Sequence, residues 1–175
     1  MSRASRFILA FVSFAGCAQL ETPVAPRPQE VASIALASTG LSSRLWKGRC
    51  EGSGVFSDSI TLHITANCNF AQLKRMKVVA IETVVPRGEG FLLNTTSSYT
   101  AADGDVLYTT SVGRATLKPD FSGVTFLGIE TAVGGTGRFI NASGSATRKG
   151  STRFSDLSAS YEILGTLTIS TDAAR

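Results

Sequence analysis

Histidine is almost missing from this 175-residue chain: His63 stands alone. Cysteine is scarce as well, three residues without a Cys-x-x-Cys spacing. A zinc site draws three or four closely spaced His, Cys or carboxylate ligands, so neither a metal nor any other cofactor is expected. Cys50 as a nucleophile would have only His63 as its base, and His63 falls on the polar parity of its segment, which places it at the surface. No apolar run reaches the ~20 residues needed to span a bilayer as a helix. Charge of either sign is thin. The charged fraction is 17%, and 17 Lys+Arg face 13 Asp+Glu for a net +4. Setting aside Arg3 and Arg6 leaves 15 against 13, or +2, which makes no electrostatic case for nucleic acid. The clusters Lys74-Arg75-Met76-Lys77 and Arg148-Lys149 read as solvated loops. Glu, Lys and Gln thin out after residue 90, which argues against a helical domain. What remains is 43% hydrophobic, with 17 Gly and frequent Ser and Thr. That mixture builds a core from strands and tight turns and is too apolar for a disordered chain.

The first residues read as an export signal. Arg3 and Arg6 precede the apolar run Phe7–Ala15, and small residues follow, which are the three parts of a secretory signal. Phe14-Ala15-Gly16-Cys17 resembles the lipobox of bacterial lipoproteins, with Phe14 in place of the usual aliphatic residue. The resemblance implies that residues 1–16 are removed and that Cys17 becomes a lipid-bearing N-terminus. Cleavage after Ala18 by ordinary signal peptidase is the alternative, and it discards Cys17. Residues 17–41 then hold Pro23, Pro26 and Pro28 and an Ala/Ser-rich stretch, a composition suited to an extended spacer. Val31–Ala37 as an edge strand or short helix is the other reading. Either cleavage accounts for Cys17, so Cys50 and Cys68 are left as a pair. In an oxidising compartment such a pair forms a disulfide, and closing its short loop contributes about 3 kcal/mol in the chain-entropy picture.

From residue 42 to about 172 the pattern is β. Ile60–Ala66 alternates apolar and polar residues, as a half-buried strand does. Met76–Val85 is apolar on both parities and predicts a strand covered on both faces. Phe91–Ala101 and Val106–Leu117 flank Asp103-Gly104, whose residue types suit a tight hairpin turn. Lys118-Pro119-Asp120 breaks the chain before a strand ending near Val133. In the last segment Leu157, Ala159, Tyr161, Ile163, Gly165, Leu167 and Ile169 alternate with mostly polar residues. Long strands joined by tight turns favour a closed antiparallel barrel, with a two-sheet sandwich as runner-up.

Two stretches carry a family resemblance. Thr131–Ala146 resembles the shared signature of the dirigent and allene oxide cyclase families, with Gly134, Gly135, Thr136, Gly137, Phe139, Ala142 and Gly144 in the matching places. Tyr99–Tyr108 is similar to the Ala-Ala-x-Gly-Asp-x-Leu hairpin of bacterial relatives of these barrels. Together they cover residues 99–170 and imply an eight-stranded antiparallel barrel. The matched glycines and Phe139 serve the turn and the barrel end. Residues 42–90 match no such motif, so no catalytic residue is carried over.

Charges on apolar parities mark the candidate site, because burying an unpaired charge is costly. Glu82 shares a face with Val78, Ala80 and Val84. Glu130 shares parity with Val124 and Phe126, and Arg114 shares parity with Tyr108 and Val112. If these faces line the lumen, Glu82, Tyr108, Arg114 and Glu130 form a ligand-binding cluster; otherwise they lie at strand ends and reach water. Asp105 reads as a turn or rim residue. Asn94 and Asn141 match the glycosylation pattern, which has no meaning in a bacterial chain. The expectation is a cell-envelope lipoprotein, held in the membrane through Cys17 and facing the periplasm or exterior, or else a secreted protein. Its barrel is a non-enzymatic module that binds a small apolar ligand or serves a structural role. The alternative is a cyclase or isomerase acting inside the barrel, which calls for an open apolar lumen with an Arg–Glu pair. A homo-oligomer is a further option.

Overall fold

A computed structural model describes residues 40–170. The signal segment, Cys17 and the spacer as far as residue 39 lie outside the described residues. Eight strands follow one another: β1 Leu41–Phe56, β2 Thr61–Phe70, β3 Lys74–Arg87, β4 Gly90–Ala101, β5 Val106–Leu117, β6 Gly123–Gly135, β7 Ser143–Arg153 and β8 Ser158–Ser170. Each pairs antiparallel with the next, and β8 returns to β1 to close a barrel. The seam runs from Leu41 opposite Ser170 to Ser53 opposite Ser158. Closure leaves no unpaired edge, the feature that separates a barrel from a sandwich. Every strand is paired inside this unit, which carries its own core, as a domain able to fold alone does.

The two ends differ. At one end the β2–β3 turn, the β4–β5 hairpin and a single 3-10 turn at Gly137–Phe139 fold over the lumen. Trp46, Tyr99, Leu107, Phe139 and Leu167 are fully buried there, each worth roughly 1.5–3 kcal/mol of burial. The two family-like stretches meet at this plugged end. The Val106 N–H donates to Thr136 Oγ1 at 2.9 Å, and the Arg138 N–H donates to Asp105 Oδ2 at 3.1 Å. Gly137 has φ +52°, and a Cβ there would strike the Asp105 carboxylate, so glycine is required. Gly144, at φ +141°, lets β7 pass against the Thr166 carbonyl. Cys50 and Cys68 are direct cross-strand partners on β1 and β2, fully buried and joined as a disulfide.

The opposite end is open and carries a smaller core of Leu93, Ala115 and Val124 with Phe91 and Phe126 beside it. Three of its loops are pinned by aspartates accepting backbone N–H bonds: Asp58 from Ile60 and Thr61, Asp120 from Ser122, and Asp156 from Ser158. Those bonds lower the carboxyl pKa of Asp58 and Asp120, and the Ser158 hydroxyl with its N–H lowers that of Asp156.

β3 corrects one expectation. Val78 and Ala80 point inward, but Val79, Ile81 and Val85 are exposed on the outer face rather than covered. Val112, Leu127 and Ile129 are exposed on the outer face of β5 and β6 as well. Arg49, Lys149 and Glu162 also face outward from the middle of their strands. These three form a charged patch across β1, β8 and β7.

Candidate functional site

β3, β6 and β7 bring three charged side chains into the lumen. Glu82, Glu130 and Arg148 are exposed by 6%, 0% and 6%. Arg148 Nη2 donates to Glu82 Oε2 at 2.6 Å, and the Thr95 hydroxyl donates to the same oxygen at 2.8 Å. One layer away, Glu130 Oε1 accepts from the Tyr99 hydroxyl at 2.7 Å and from Thr109 at 2.6 Å. Glu130 Oε2 and the Trp46 indole N–H are buried without a partner among the described residues. The guanidinium of Arg148 lies over two rings, 5.2 Å from the centroid of Phe126 and 5.5 Å from that of Tyr161. Tyr161 in turn points its hydroxyl at Cys68 Sγ, 4.0 Å away; a disulfide sulfur carries no proton, so the tyrosine donates.

Burial and charge act together on these groups. Burial opposes the charge on Arg148, but Glu82 and Glu130 more than offset it, and its pKa lies above the ordinary arginine value. Burial, reinforced by Glu130, raises Tyr99 well above the usual value near 10; burial raises Tyr161 too, against the opposing pull of Arg148. An acid with a raised folded pKa contributes stability that is intact below its unfolded pKa and is lost as pH rises past it. Stability should therefore fall above about pH 10. An absorbance titration should show Tyr99 and Tyr161 ionising only with unfolding.

The pair forms the floor of a recess at the open end. Leu62, Ile64, Ala80, Phe126 and Leu157 wall it, and Arg148, Glu82 and Tyr161 close it below. Its volume is about 30 Å³, room for one water molecule. Among the described residues Arg148 hydrogen-bonds Glu82 alone, and its guanidinium borders this space. Around the mouth stand Phe56, Ile60, Phe121 and Phe154, all exposed, with Phe121 at 71%. Leu157 and Phe121 hold positive φ, 50° and 56°, a conformation that costs a branched or bulky residue about 1 kcal/mol or more.

The expected cluster of four is thus divided. Glu82 and Glu130 are inside, as their parity implied. Tyr108 and Arg114 are outside, exposed on the outer face of β5. That strand turns Leu107, Thr109, Ser111 and Ala115 inward and Val112 outward, so its apolar residues do not mark the core face. A register shift at Tyr108/Thr109 adds to the irregularity. Arg148, not Arg114, is the interior cation. Its strand shows no apolar alternation, but counting parity from Gly144 and Ala146 reaches it. His63 is exposed, and Asp105 is a turn residue. Among the described residues no cluster of three His, Cys, Asp or Glu is placed to hold a metal.

Known proteins place this architecture. No protein-family profile and no curated protein matches the chain in sequence. The solved structure of the pterocarpan synthase dirigent protein GePTS1 superposes with a TM-score of 0.51 at 16% identity, covering 81% of this chain and 99% of that one. The barrel has the dirigent fold. The dirigent-like barrel described here keeps that closure and is filled at its plugged end by its own side chains.

Proposed function

We propose that the protein is a non-enzymatic binding module of the bacterial envelope, tethered through Cys17 and taking a small amphipathic ligand at the open end of its barrel. The observation that carries this reading is the floor of the recess. A buried ion pair contributes little net stability and is often replaceable by apolar residues at no cost, so Arg148 and Glu82 call for another reason to be there. The Arg148 guanidinium, hydrogen-bonded to Glu82 alone among the described residues, borders an apolar-walled space. An acidic head group set on Arg148, with an apolar body running out between Leu62 and Leu157 towards the exposed phenylalanines, matches that chemistry. The recess is only about 30 Å³, so a ligand enters by spreading the mouth loops.

The cyclase or isomerase alternative gains an interior Arg–Glu pair, and the superposed dirigent protein is a pterocarpan synthase. It lacks the open lumen such chemistry needs, since side chains fill the barrel below the recess.

Calorimetric titration tests the binding half. Medium-chain or aryl carboxylic acids should bind about tenfold or more tighter than their neutral amides, the margin of a charge-assisted hydrogen bond. Equal affinity for acid and amide, or no heat with either, contradicts it. For the tether, mass analysis of the mature protein should find a lipidated Cys17 at the N-terminus.

A further inference from the structure

The cations are unevenly placed. Arg49, Arg138, Arg148, Lys149 and Arg153 each have a carboxylate partner. Arg44, Lys47, Lys74, Arg75 and Lys77 are exposed and have none among the described residues. The fold gathers these five at the plugged end. The Ala71 N–H donates to the Lys47 carbonyl at 2.9 Å, and the Leu45 N–H donates to Gln72 Oε1 at 2.9 Å, which locks the β2–β3 turn against β1. With Arg138, six cations at this end face Asp103 and Asp105 alone among the described residues. At the open end, Arg87, Lys118 and Arg153 are interspersed with Asp58, Glu89, Asp120 and Asp156.

Two further features lie beside the basic cluster. Leu41 and Leu45 are exposed large apolar residues on the same stretch of β1. A surface groove of about 780 Å³ runs next to them, bordered by Leu45, Lys47, Arg49, Lys149 and Leu164. This is also where the chain arriving from residue 17 enters the barrel, at Leu41.

We propose that the plugged end of the barrel docks on the anionic headgroups of the membrane leaflet to which the chain is tethered. The unpaired lysines and arginines meet lipid phosphates, Leu41 and Leu45 sit at the interface, and the recess faces away from the membrane. Cations held within a Debye length of an anionic surface are each attracted strongly enough to add up, and the tether keeps this end close. The inference rests on the envelope location and the tether proposed above, and not on a ligand in the recess; the affinity of the basic end for anionic lipid is tested without either.

The test uses residues 18–175, which contain the whole self-closed barrel and no lipid, in sedimentation with vesicles. Vesicles of phosphatidylcholine containing phosphatidylglycerol should bind the protein at low salt, more weakly at physiological salt, and pure phosphatidylcholine should not. Combining Lys47→Gln, Lys74→Gln, Arg75→Gln and Lys77→Gln should weaken binding by about a hundredfold or more. Combining Arg87→Gln, Arg114→Gln and Lys118→Gln, which removes unpaired cations elsewhere, should leave it within about twofold. Equal binding to the two vesicle types, or equal loss in the two variants, overturns the proposal. Because this chain carries no Cys17, a negative result here leaves the ligand titration and the mass of the N-terminus to be judged separately.

Discussion

Arg148→Met should lower the unfolding free energy by about 3–5 kcal/mol, the cost of leaving a buried partner charge uncompensated. Glu82 is buried with Thr95 as its other hydrogen-bond donor, and one neutral hydroxyl does not replace a guanidinium. The rings of Phe126 and Tyr161 would also lose the cation stacked over them. Against the 5–15 kcal/mol typical of a domain, such a loss leaves little margin. Adding Glu82→Gln should recover more than half of it. The glutamine carbonyl still accepts from Thr95, its amide can bond a water in the adjacent recess, and position 82 no longer carries an uncompensated charge. Chemical denaturation of the two variants measures this directly. A double variant as unstable as the single one would mean that Arg148 acts by packing rather than by charge.

Removing the Cys50–Cys68 bridge as the double alanine variant should cost about 2–4 kcal/mol. The bridge closes a loop across a sequence separation of 18 and ties the first two strands of a barrel whose seam forms only when β8 reaches β1. Part of the loss is enthalpic, since both sulfurs are fully buried and Tyr161 donates towards one of them. The denaturation midpoint of the variant is the measurement. An unchanged midpoint would show that the closed ladder alone restrains β1 and β2.

Much of this barrel was legible in the sequence because its later strands follow simple rules. From Ala159 to Ile169 the alternation marks the inner face of β8 correctly, and Asp103-Gly104 marks the β4–β5 hairpin. The stretch from Thr131 to Ala146 identified the plugged end, down to Phe139 as its stopper. Glu82 and Glu130 were visible as charges out of place among apolar neighbours. The rest was hidden by the composition of the lumen. Its wall includes Thr95, Ser97, Thr109 and Ser111, while Val79, Val112 and Ile129 face outward. Where inner residues are small and polar, alternation points to the wrong face, and so Tyr108 and Arg114 were assigned to the interior.

Arg148 was missed for the same reason. β7 reads Ser-Gly-Ser-Ala-Thr-Arg-Lys-Gly-Ser-Thr-Arg, with no apolar rhythm, and a neighbouring lysine made the pair look like a solvated loop. Trp46 and Tyr99 gave little warning either. Trp46 lies between Leu45 and Lys47 on β1, Tyr99 follows two serines on β4, and only closure of the barrel brings their rings edge to face at 6.5 Å. Closure is a long-range property, and no local pattern carries it.

The double variant also supplies the sharpest test of what the recess is for. Arg148→Met/Glu82→Gln keeps the apolar walls and the exposed phenylalanines and removes only the charged floor. Titrated with the same carboxylic acid, it should bind about tenfold or more weakly than the parent protein, while affinity for the matching amide stays level. Unchanged affinity for the acid in a folded double variant would contradict the assignment of Arg148 as the group that receives the ligand.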